Sequence, residues 1–117
     1  FREAVNTMMD LARMGNKYLA DSEPWKLIKT SNKEKVETII NISIQICSIL
    51  SVVSEPFLPS ASKKLRNQFN VQNIYWKDFS KEKPLIPVKI EKSELIFRKI
   101  EDHEIDFQLK KLNDSEK

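Results

Sequence analysis

The sequence predicts an all-α fold, a helical bundle punctuated by proline, and three observations carry that expectation. A single glycine stands against five prolines in 117 residues, in a chain rich in Lys, Ile, Glu and Leu. Helix formers therefore dominate, and the glycine that β-hairpin turns rely on is scarce. Apolar residues recur at spacings of three and four along the N-terminal half, the period of a helix with one buried face. The length suits one domain with one core.

The first helix is expected from Phe1 to just before Pro24. Its apolar face is Phe1, Ala4, Val5, Met8, Leu11, Ala12, Tyr18 and Leu19. Proline disfavours the helical conformation at the residue before it, here Glu23, while its own fixed φ suits the first turn of a new helix, here PWKLIK. A kinked corner is thus expected at GNKYLADSEPWK, with Trp25 upon it, at one end of the bundle.

A second long helix is expected from about Ser31 to Ser54. Ser31 or Asn32 is its candidate N-cap, and Glu34 is placed to complete a capping box with Ser31. Beyond Val36 its apolar residues, isoleucines above all, surround most of the helix, as in a central helix covered by neighbours on several sides. β-branched residues lower its intrinsic propensity, so packing must hold it. Pro56 and Pro59 break this helix, and a third opens with Ser60 or Ser62 as cap and ends near Phe69.

After Val71 the helical period fades. NIYWKDF fits either a short extended segment or a single turn, with Trp76 as a core or interface anchor. Residues 83–101, with Pro84 and Pro87, are expected as an extended arm. A last short helix is expected from Asp102 to about Leu112, with Ile105, Leu109 and Leu112 on one face, acids at its start and Lys110 and Lys111 at its end. NDSEK reads as a polar tail. The expected organisation is a bundle over residues 1–82, an arm over 83–101 and a helix with its tail over 102–117.

Few residues offer bond chemistry. The single histidine, His103, lies among Glu101, Asp102, Glu104 and Asp106 at a helix start, where a surface role is favoured over catalysis or a hard-cation site. One glycine cannot build a phosphate-cradling loop, and no zinc-site or EF-hand spacing is present. No catalytic residue and no metal ligand is expected. Cys47 stands alone in an apolar run, which excludes an internal disulfide and fits a reducing cytoplasm. The apolar stretch from Val36 to Val53 is interrupted by Glu37, Asn41, Gln45 and several hydroxyl residues, so a soluble core helix is expected rather than a membrane span.

Binding is the better class. The net charge is +3, and Ala61 to Lys83 holds six basic residues (Lys63, Lys64, Arg66, Lys77, Lys81, Lys83) against two acids, a modest patch that a polyanion would favour. Trp25, with Asn16, Lys17 and Lys26 near it in sequence, has two readings: a ring that caps the core, which residue type favours, or a platform that stacks an unpaired base. Asn16 likewise either fixes a turn or reads a ligand.

FREAV, LARMGNKYLADSEPWK, the apolar helix ending in SVVSEPFLPSASKKL, NIYW and ELIFRKIED follow one another in the order and spacing of one family. Together they resemble the anticodon-binding helical bundle of methionyl-tRNA synthetases, among the class I aminoacyl-tRNA synthetases. The resemblance implies that Pro24 and Trp25 meet the anticodon CAU, with the ring stacking near its cytosine. It implies phosphate contacts by Lys17, Lys26, Lys63, Lys64 and Arg66, and makes Asn16 a candidate anticodon-binding residue beside them. It further implies a cytoplasmic parent enzyme that joins methionine to its tRNA with ATP and Mg, in which a catalytic body is the arm's partner and a first bundle helix precedes Phe1. This segment itself needs no cofactor. The rival reading is a helical protein–protein interaction module without nucleic-acid specificity.

Overall fold

The computed structural model describes residues 1–78, 87 and 89–115. Its elements are α1 (Arg2–Ser22), α2 (Pro24–Leu27), α3 (Lys33–Val53), α4 (Pro59–Phe69), a single 3₁₀ turn at Trp76–Asp78, and α5 (Asp102–Ser115). No strand occurs among the described residues. Residues 79–86, which include Lys81 and Lys83 and the start of the arm expected from residue 83, lie outside them.

α3 is the organising element. α1 and α4 pack along it and α2 packs against it. α1 and α3 run antiparallel, as Phe1 edge-on to Phe57 (5.3 Å between centroids) and Gly15 against Ile46 show. The two helices approach closely at Gly15, where an added Cβ would lie 2.9 Å from Ile46 Cγ2. A glycine in a helix interior lowers helix propensity, and here the missing side chain lets two backbones approach. Met8, Val36, Ile39, Val52, Ala61 and Val71 form the buried apolar core.

Buried serines take part in the contact between α3 and α4. Ser48, Ser51 and Ser62 are buried, and Ser62 donates to the Ser51 carbonyl at 2.6 Å while Ser51 donates to the Ser48 carbonyl. This corrects the expected cap of α4. Pro59 takes the first helical position and Leu58 becomes the N-cap, so Ser62 enters the core and Ser60 stays exposed. The capping box of α3 is likewise not formed: Asn32 is the N-cap, yet no side chain caps the helix.

Three further expectations are corrected. Coverage of α3 is partial, with Ile40 and Ile42 exposed and Ile44, Ile46 and Ile49 half-buried, because among the described residues its main packing partners are α1, α2 and α4. Its polar interruptions do not exclude a membrane span either, since the 21-residue helix is long and apolar enough to cross one by length and composition. The core-helix reading rests instead on the packing of the other helices. Finally, α5 runs three residues past Leu112, leaving Lys110 and Lys111 short of its end.

Two devices order the C-terminal half. Arg66 is buried and reaches four acceptors: Glu55 Oε2 at 3.0 Å and the carbonyls of Val71, Gln72 and Ile74, so it anchors the chain leaving α4. Asn70, left-handed at the end of α4, donates to the Lys89 carbonyl and to Glu91, while Gln68 accepts the Glu91 N–H and donates to the Glu94 carbonyl. The arm is thereby tied to α4. At α5, the Glu104 carboxylate receives both Arg98 guanidinium nitrogens at 2.6 Å and the Glu101 N–H at 3.0 Å. These bonds hold its carboxyl at about 2, well below the usual range.

Candidate nucleic-acid interface

The corner between α1 and α2 consists of one residue. Glu23 ends α1 and begins α2, with φ 42 and ψ 55 in the left-handed region. Its N–H donates to the Leu19 carbonyl at 3.2 Å, closing α1, and its own carbonyl accepts the N–H groups of Lys26 at 2.9 Å and Leu27 at 3.2 Å, opening α2. Pro24 at the first position of α2 spends no unsatisfied N–H and is buried. The next residue, Trp25, is 53 % exposed. A buried proline followed by an open indole is a rigid mount for an aromatic face.

Polar groups surround the corner. Lys26 pairs with Glu23 at 2.6 Å across an exposed salt bridge. Asn16 and Lys17 are exposed on α1. A cleft of about 590 Å³ opens between the end of α1, α2 and the start of α3, lined by Tyr18, Asp21, Glu23, Lys26, Lys35 and Thr38 among others. It holds two acids, Asp21 and Glu23, and two lysines, Lys26 and Lys35, a mixture that suits the donors and acceptors of a base edge better than a bare phosphate. Sequence reasoning did not bring Tyr18, Asp21, Lys35 and Thr38 together, and of the expected residues only Lys26 lines this cleft, with Trp25, Asn16 and Lys17 outside it. Lys35 and Thr38 sit on the face of α3 that carries buried Ile39, and that neighbourhood is a helical-spacing signal.

The remaining candidates divide by burial. Lys63 and Lys64 are exposed on α4 and available to a polyanion. Arg66 is not: its side chain is spent on the acceptors that hold residues 71–74, so its expected phosphate contact is corrected to an internal anchor. Trp76 is 58 % exposed in its turn, which removes the core alternative expected for it and leaves the interface one open. Beside it the Tyr75 ring lies under the Arg66 and Lys77 cations at about 6 Å. Cys47 is half-buried on α3, and burial pushes its thiol pKa up, as for an inert structural cysteine. His103 is exposed at the start of α5.

Fold and corner together define an all-helical binding domain. The comparisons give it a family: residues 1–116 match the model described as the anticodon binding domain of methionyl tRNA ligase, and the chain belongs to that family. It is 47 % identical over 119 residues to the methionine–tRNA ligase of Bacteroides fragilis, covering all of this chain. It is 48 % identical to those of Cytophaga hutchinsonii and Christiangramia forsetii, over 98 % and 96 % of the chain. The chain spans 17 % of the length of each of these relatives.

Proposed function

We propose that this domain reads the CAU anticodon of the methionine tRNA within a cytoplasmic enzyme that joins methionine to that tRNA. Trp25 stacks on the unpaired cytosine; Pro24, expected to meet the anticodon as well, is buried and instead starts the helix that carries the ring, and Asn16 and Lys26 meet base edges or backbone. Lys17, Lys63 and Lys64 neutralise phosphates and orient the stem without reading sequence. ATP and Mg act in the catalytic body of the parent, and no residue here is assigned to them. The observation that carries this reading is the open indole on a backbone-locked corner, in a chain of the anticodon-binding family.

The test is binding of anticodon stem-loops to the full-length protein at one fixed salt concentration, since phosphate contacts make affinity steeply salt-dependent. A CAU stem-loop is expected to bind more tightly than one with a changed first base. Equal binding of both, or none, refutes anticodon reading and favours the protein-interaction module.

A further inference from the structure

Glu23 is placed where a glycine or asparagine normally stands. Left-handed backbone is unfavourable for a side chain with a Cβ, and helices that close this way usually do so on Gly. Glu23 adopts it immediately before a proline, which narrows the choice further. Asn70, the other left-handed residue among those described, is of the tolerant type. Strain of this kind persists only where the surroundings over-determine it. Here three backbone hydrogen bonds, one to α1 and two to α2, meet on this single residue.

Resting on the function proposed above, we infer that Glu23 is a positioning residue whose left-handed backbone aims the Trp25 ring at the anticodon. Because no spacer separates α1 from α2, the φ and ψ of this joint, together with the packing of α2 on α3, set the direction in which α2, and the indole on its second residue, leaves the bundle. The Glu23 carboxylate is secondary. Its ion pair with Lys26 is exposed on both sides, where such pairs hold geometry weakly. Backbone preference at position 23, not charge, therefore governs recognition.

The experiment compares Glu23→Val, Glu23→Asn, Glu23→Gly and Glu23→Gln in the full-length protein, reading the ratio of affinities for the CAU stem-loop and its changed-first-base counterpart, with circular dichroism for helix content. Glu23→Asn and Glu23→Gly, which accept the left-handed region, are expected to keep the wild-type ratio, and so is Glu23→Gln, which removes only the charge. Glu23→Val, which resists that region, is expected to lose about tenfold in CAU affinity as the ring is misdirected, with helix content unchanged. A purely structural role moves melting and leaves the ratio alone. A Glu23→Val protein that discriminates like wild type, or that loses its helices, overturns the inference, as does a glycine or asparagine variant as poor as valine. A wild-type protein that does not discriminate refutes the functional reading itself, and this inference with it.

Discussion

Replacing Trp25 by alanine separates the two roles open to this ring. A tryptophan side chain offers up to about 250 Å², so at 53 % exposure roughly 130 Å² is free for a ligand and roughly 120 Å² is held by the bundle. At about 25 cal/mol per Å², covering the free part contributes at most ~3 kcal/mol, the upper end of the ~1–3 kcal/mol found for base stacking on an aromatic ring. The held part sets a similar ceiling of ~3 kcal/mol on lost stability, and the alanine methyl and relaxation of the corner reduce it. Trp25→Ala is therefore expected to lower CAU stem-loop affinity by roughly 5- to 150-fold while the domain remains folded well below its melting temperature. Fluorescence anisotropy of a labelled stem-loop measures the first quantity and circular dichroism melting the second, on the same samples. Trp25→Phe, which keeps a smaller platform, is expected to recover part of the affinity. An alanine variant that is fully folded and binds with wild-type affinity refutes the stacking assignment. One that unfolds returns the ring to the core-capping role.

Gly15→Ala drives a methyl to 2.9 Å from Ile46 Cγ2; overpacking of ~1–3 kcal/mol set against a helix-propensity gain of ~1 kcal/mol predicts a net loss of up to ~2 kcal/mol, which Ile46→Ala in the same chain relieves. A raised melting temperature for Gly15→Ala alone contradicts the close crossing. Arg66→Ala strands three main-chain carbonyls and is expected to destabilise by ~2–3 kcal/mol, with Arg66→Lys little better because one ammonium cannot span the same acceptors. By contrast, Lys63→Ala is expected to leave stability unchanged and to reduce the salt slope of tRNA binding by about 1; an unaltered slope removes Lys63 from the interface. The Glu104 carboxyl is held down, so the stabilisation of the α5 start that it provides is complete above the ordinary value of 4.5 and is lost as pH falls through about 2. A carboxyl NMR titration of Glu104 with its midpoint near 4.5 contradicts that geometry, and Arg98→Ala is expected to move the midpoint up toward it.

Much of the fold was legible because prolines mark its boundaries. Pro24 and Pro59 each occupy the first position of a helix, and the periodic apolar runs before them end where the helices end. The caps were harder to read, since a hydroxyl residue near a helix start is only a candidate: whether Ser62 caps α4 or enters the core depends on the distance to α3, a tertiary quantity. Arg66 shows the same limit for charge. Counting it within a basic patch ignored depth, and in the folded chain it lies beneath the residues it anchors. The alternatives left open for NIYWKDF resolved to a single turn at Trp76–Asp78, closed by Asp78 accepting the Tyr75 N–H.

At the site, the proline rule identified Glu23 as the break but not its form. Excluding the right-handed helix usually yields an extended residue, yet two helices that meet without a spacer need a reversal, and the left-handed region supplies it in one step. That difference decides which way Trp25 faces. The neighbouring cleft was illegible for a related reason: Tyr18 and Thr38 come together only once α1 and α3 lie antiparallel.

The most direct measurement is the 19F NMR spectrum of full-length protein carrying 5-fluorotryptophan, its signals assigned by Trp25→Phe and Trp76→Phe, during titration with a CAU stem-loop. The Trp25 resonance is expected to move by ring-current shift as the stem-loop saturates, and to move less with a changed first base, while the Trp76 resonance stays in place. Saturating binding of the CAU stem-loop with a stationary Trp25 resonance contradicts the claim that this indole receives the anticodon.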